Sequence, residues 1–151
     1  MPYQKLTYSG TECNNYLYFS FYADYFDVEI VTRALGLEPT SVMLKKDPIP
    51  ISTYWNYKIV AGNDINLEQY LEMMIAILEP KVDDINNLKE KLKLETCIML
   101  VIDVDINPEA STPYFGLNKR TINFLDKTGT TVHFDLYKAD TIGLLKNLNE
   151  E

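Results

Sequence analysis

Residues 96–105, TCIMLVIDVD, constrain most strongly what this chain can fold into. Both alternating faces of the run are apolar as far as Ile102, a pattern that suits a strand covered on both sides. Asp103 and Asp105 then project together on one side. A central strand needs neighbours, and three other stretches qualify. Residues 16–23, YLYFSFYA, are dense in aromatics and largely apolar on both sides. Residues 53–60, TYWNYKIV, place Thr53, Trp55, Tyr57 and Ile59 on the more buried side. Residues 130–137, TTVHFDLY, alternate with Val132, Phe134 and Leu136 inward and Thr131, His133, Asp135 and Tyr137 outward.

Between these strands the apolar period changes from two to about 3.6. Asp24 or Asp27 can cap a helix whose stripe is Val28, Val31 and Leu35, and Gly36 supplies the left-handed residue that ends it. Pro39 then turns the chain into a short strand over 41–44. Residues 45–52, KKDPIPIS, carry two prolines and read as a surface loop or rigid edge. Asn66 is the expected cap of the clearest helix, with Leu67, Tyr70, Leu71, Met74, Ile75 and Leu78 on one stripe. Pro80 interrupts it, and a more polar helix follows through Ile85, Leu88 and Leu92. After a loop over 107–113, residues 114–117 read as a short strand in a hairpin with its predecessor. Asn118 caps a helix that Gly129 ends, and a last short helix is expected over 141–148.

The order argues an α+β fold: a mostly antiparallel sheet with helices packed on one face. A strand–helix–strand echo between residues 16–44 and 99–134 suggests a ferredoxin-like duplication. A length of 151 residues fits a single domain able to bury a core without disulfides or metal. Residues 1–14 are polar and read as a loose lead-in, and 139–151 as a C-terminal helix or tail.

A net charge of -8 argues against nucleic acid, since phosphate-backbone binding needs clustered Lys and Arg. A basic protein suits such a chain better. Cys13 and Cys97 stand alone, without metal-ligand spacing, so they read as free thiols of a reducing compartment. The N-terminal stretch lacks a signal-peptide pattern, and no apolar run reaches bilayer length, so the expectation is a cytoplasmic protein that does not engage membranes.

One family resemblance rests on DVEIVTRALGLEPTSV, in which an aspartate-led helix runs into a leucine-glycine-leucine-x-proline-threonine turn, and on the tryptophan of STYWNY. LEQYLEMMIAILEP and FGLNKRTINFLDKTGTTVHFDLY extend it across residues 15–138. In these segments the chain resembles the bacterial family called domain of unknown function 4279. The matching positions are Gly36, Pro39, Thr40 and Trp55, with Asp135 and Tyr137 beside them. Lys45-Lys46-Asp47 departs from the lysine-glycine pair that the resemblance implies after the short strand. The resemblance implies no activity. Some members look like immunity components encoded near toxins, which implies a protein partner.

Gly36, Pro39 and Thr40 are sufficiently explained as a helix stop and turn. Trp55 reads as core or, beside Tyr54 and Tyr57, as part of a groove, since tryptophan and tyrosine are favoured in interface hot spots. Asp103, Asp105, His133 and Asp135 form i, i+2 pairs on two strands, and would converge on a metal or substrate only if those strands align them. No GxSxG, paired Cys and His or phosphate-cradling glycine loop accompanies them. The leading expectation is therefore a non-enzymatic protein-interaction domain of immunity type, without cofactor, binding a basic partner. The alternative is a small-molecule-binding protein or metal-dependent enzyme built on the Asp/His set.

Overall fold

The computed structural model describes residues 7–147. They run β1 (Thr7–Gly10), β2 (Asn15–Ala23), α1 (Val28–Leu35), β3 (Ser41–Met43), β4 (Thr53–Gly62) and α2 (Leu67–Leu78). A 3-10 turn, Glu79–Lys81, leads into α3 (Val82–Leu92), β5 (Glu95–Asp105), α4 (Lys119–Thr128), β6 (Thr131–Ala139) and α5 (Leu144–Asn147). Among the described residues no helix is long and apolar enough to cross a membrane.

The strands form one six-stranded sheet in the order β1-β6-β5-β2-β4-β3. β5 is interior, as its two apolar faces demand. The β5/β2, β2/β4 and β4/β3 pairs are antiparallel, whereas β6 runs parallel to both β5 and β1. The fold is α+β with a mostly antiparallel sheet. From β2 through β5 the chain follows the β-α-β-β-α-β order of ferredoxin-like units. α4 then crosses over to add β6 in parallel.

One face of this sheet carries the helices. Leu17, Phe19 and Phe21 of β2, Trp55 of β4 and Ile98, Leu100 and Ile102 of β5 are buried there against Val31, Leu71, Met74, Ile75, Ile85 and Phe124. Each large apolar side chain so buried contributes roughly 1.5–3 kcal/mol before entropy is counted. The edges of the helices follow their local signals. Asp27, not Asp24, caps α1 by accepting from the Glu29 amide at 3.0 Å, and Gly36 ends it at φ 60° with its own amide on the Thr32 carbonyl. Asn118 caps α4 through the Thr121 amide, and Gly129 ends it at φ 60°.

Four expectations need correction. Residues 7–10 are not a loose lead-in but a strand, because their backbone pairs with the end of β6, Thr7 facing Tyr137. Asn66 makes no side-chain cap bond; Asp64 organises that turn instead, accepting from the Asn66 amide, Gln69 and Tyr70. Residues 114–117 form no hairpin. Tyr114 makes an isolated bridge to Asn66, its carbonyl accepting from Leu67 at 2.8 Å, so the loop satisfies an amide of the first turn of α2. Phe134 and Leu136 do face the helix side, yet they are 45% and 39% exposed, because the helical layer is centred on β2 and β4 and leaves β6 thinly covered. The expected helix over 141–148 is the short α5, capped by Asp140 on the Leu144 and Leu145 amides; Leu148 lies outside the described residues.

These acidic turns carry a pH dependence. The Leu145 amide, then those of Leu144 and its neighbours, outweigh burial and hold Asp140 below the usual carboxylate range. The Asn66 amide does the same for Asp64. At Asp105 burial raises the value, but the Thr141 hydroxyl and the amides of Asn107 and Thr141 outweigh it. Depressed folded values mean stability that is present above the unfolded carboxylate pKa of about 3.9 and is lost as pH falls through the folded values. Urea midpoints should therefore drop below about pH 4, and Asp140→Asn should flatten that drop. An unchanged acid limb in the variant would refute the assignment to Asp140.

Candidate functional site

α1, α2, α3 and α4 all pack on the face just described and none of them covers the opposite one. Its side chains line up in rungs across the strands: Tyr54, Tyr22 and Glu95; then Asn56, Ser20, Cys97 and Thr131; then Lys58, Tyr18, Met99 and His133; then Val60, Tyr16, Val101 and Asp135; and finally Asp103 with Tyr137. Tyrosines from every second position of β2 dominate it. Tyr22 stacks on Tyr54 with ring centroids 5.8 Å apart, and Tyr16 on Tyr18 at 6.4 Å. Ser20, Cys97 and Val101 are buried between these larger side chains.

Short side chains on the second rung open a groove of about 610 Å³ that crosses the strands. Ser20, Asn56 and Cys97 form its floor, Tyr22 and Tyr54 one wall, and Tyr18, Met99 and His133 the other. The floor's polar groups are satisfied internally: the Ser20 hydroxyl donates to Asn56 at 2.6 Å, and the Asn56 amide donates to Ser41 at 3.2 Å. Burial holds the Cys97 thiol above its ordinary value, so it is a neutral lining group and not a nucleophilic thiolate. Burial likewise raises Tyr16, Tyr18 and Tyr22, followed at Tyr16 by the charges of Asp135 and Asp103.

The proline loop closes the β3 end of the groove with Ile49, Pro50 and Ile51. Its base is tied down by the Lys46 amide on the Pro50 carbonyl at 2.9 Å and the Lys45 amide on Thr53. The Thr53 hydroxyl in turn donates to the Asp24 carbonyl. Both X-Pro bonds are cis. Ile49 and Ile51 stand 74% and 69% exposed at its tip, beside the apolar lining.

The three aromatic candidates separate. Tyr54 is on the groove wall, but Trp55 is wholly buried on the helix side, its indole N–H donating to Thr32 at 3.0 Å, and Tyr57 packs partly buried on that same side. Strand alternation forces this division. Thr40 is structural: its hydroxyl accepts from the Lys58 amide at 2.9 Å and donates to the Asn56 carbonyl. Gly36 and Pro39 shape the turn before it. Tyr18, Ser20, Tyr22, Cys97 and Met99 line the groove without any motif of their own in the sequence. The signal available for them was the tyrosine repeat of 16–22, broken by one serine.

Asp103, Asp105, His133 and Asp135 do not converge. His133 faces Met99 and Asp105 faces Ala139, six residues further along β5, which is roughly 20 Å. Among the described residues no group of three His, Cys, Asp or Glu side chains could hold a metal ion. Asp103 and Asp105 instead border a separate cleft of about 920 Å³ at the strand ends, with Glu12, Cys13 and Thr141. Asp103 accepts from the Asn14 amide and Asp105 from Thr141 and Asn107, so both hold loops in place. Burial, then Asp105 and Asp103, push the Cys13 thiol up and keep it protonated.

A family model described as Domain of unknown function (DUF4279) matches residues 11–139. Comparison with curated proteins and with solved structures finds no match.

Proposed function

The chain belongs to the DUF4279 family, whose description assigns no activity, and we propose that it is a non-enzymatic binding module that docks a basic partner protein on its helix-free sheet face. The tyrosine-walled groove is the observation that carries this reading. Rigid aromatic side chains around an apolar depression are what a hot spot requires. Glu95, Asp135 and the buried Asp103 lie on this face with the exposed Lys58, and the whole chain carries -8. Such a field speeds encounter with a basic protein and disfavours nucleic acid and anionic membranes. An immunity-type role, masking a basic toxin in the cytoplasm, fits this chemistry.

Co-expression with the products of neighbouring genes tests the proposal. A partner should co-purify, release as salt rises, and be lost with the double variant Tyr22→Ala/Tyr54→Ala while the circular dichroism spectrum is unchanged. Capture that ignores both salt and the double variant would refute docking on this face. The groove's volume also lies within the range of about 300–1,000 Å³ typical of small-molecule sites. A ligand screen read by tyrosine fluorescence separates that second reading, since a ligand saturates the signal without any partner protein.

A further inference from the structure

We infer that a second copy of this chain completes the groove, the proline-loop tip of each copy seating in the groove of the other about a two-fold axis. Charge is the first argument. Among the described residues the lining holds no Asp, Glu, Lys or Arg, and the floor groups Ser20 and Asn56 already satisfy one another. Lys58, one rung from the floor, lies over the Tyr16 ring at 5.1 Å, on the side remote from the floor. An uncharged apolar occupant is therefore the one this groove desolvates at least cost.

The chain itself carries such an occupant. Ile49 and Ile51 stand 74% and 69% exposed on either side of Pro50, which joins them to the exposed Val42, Met43 and Leu44 around a shallow depression. A contiguous exposed aliphatic patch of this kind marks an interaction site. Lys45 is paired with Asp24 at 3.4 Å, and Lys46 and Asp47 offset one another, so the loop brings no net charge to the contact. Its ties at Lys45 and Lys46 hold the tip at the β3 end of its own groove, so the floor at Ser20, Asn56 and Cys97 is reached by the loop of another molecule. That floor is a single rung wide, about 7 Å, and takes two isoleucines in file. Knob and hole lie side by side on one face, so the two-fold operation that seats one loop seats the other and closes the pair. A contact of two loops and two grooves is smaller than a standard interface of about 800 Å² a side, which sets the expected dissociation constant in the micromolar range or weaker.

Sedimentation of the full chain from about 1 µM to about 500 µM provides the test, and the weight-average mass should climb toward that of a dimer and stop there. Ile51→Asp, at the exposed tip, should weaken association at least about tenfold, because it carries a charge into the other copy's groove. Tyr22→Ala/Tyr54→Ala, which removes one groove wall, should do the same; if its circular dichroism spectrum changes, Tyr54→Asp alone takes its place. Mixing supplies the decisive arm. The tip variant keeps an intact groove and the wall variant an intact tip, so an equimolar mixture restores one of the two contacts and should associate more tightly than either variant alone. A chain that stays monomeric throughout, a dimer that survives both variants, a mass that climbs past the dimer, or a mixture no tighter than its components overturns the inference. Self-association concerns the chain alone, so each of those results leaves partner capture, and with it the docking reading, to be decided by its own experiment.

Discussion

Trp55→Ala is expected to lower the unfolding free energy by about 3–5 kcal/mol, the usual cost of truncating a fully buried aromatic. Trp55 is wholly buried, lies edge-on to Phe21 with centroids 5.7 Å apart, and sits where β4 meets α1. Its N–H donates to the Thr32 hydroxyl, so Thr32→Val separates packing from hydrogen bonding. That variant keeps the shape but orphans a buried donor, at about 1–3 kcal/mol. Urea unfolding of both proteins measures the two contributions. A loss below about 1 kcal/mol for Trp55→Ala would contradict core placement and return the indole to the surface.

Asn15→Leu should cost about 2–4 kcal/mol, although it replaces a polar side chain with an apolar one of similar size. Asn15 is wholly buried at the start of β2 and joins three segments. Its side-chain oxygen accepts from the Asp103 amide at 2.7 Å, and its side-chain nitrogen donates to the Asp64 carbonyl at 3.2 Å. Leucine would leave both backbone groups without that partner at the end of the sheet. Besides a lower urea midpoint, faster hydrogen exchange should appear around Asp64 and Asp103. A variant as stable as the parent, with exchange unchanged, would mean that these groups find other partners at no cost.

The elements themselves were legible because their signals are local. Asp27 and Gly36 bound α1, and Asn118 and Gly129 bound α4, each through bonds that span at most four residues. β5 declared itself interior through its two apolar faces. Where local signals compete, tertiary contacts decide. Asn66 and Asp64 both suit a cap, and which one engages depends on Gln69 and Tyr70 reaching Asp64. β1 carries no apolar pattern of its own and exists only through its pairing with β6.

From sequence alone this chain's class, its central strand, its helix ends and its family resemblance could be read, because each depends on neighbours in the chain or on the composition of one segment. The site could not. Trp55 and Tyr54 are adjacent in sequence yet lie on opposite faces, and alternation indicates that separation without telling which face the helices cover. Ser20, Asn56 and Cys97 come from three distant segments, and they make one groove floor only because the registers of β2 with β4 and of β2 with β5 bring them onto the same rung. The register of β5 with β6 likewise spreads Asp103, Asp105, His133 and Asp135 along the sheet. Register is set by backbone pairing between strands far apart in the chain, and that alone turned a row of tyrosines with one serine into the walls and floor of a groove.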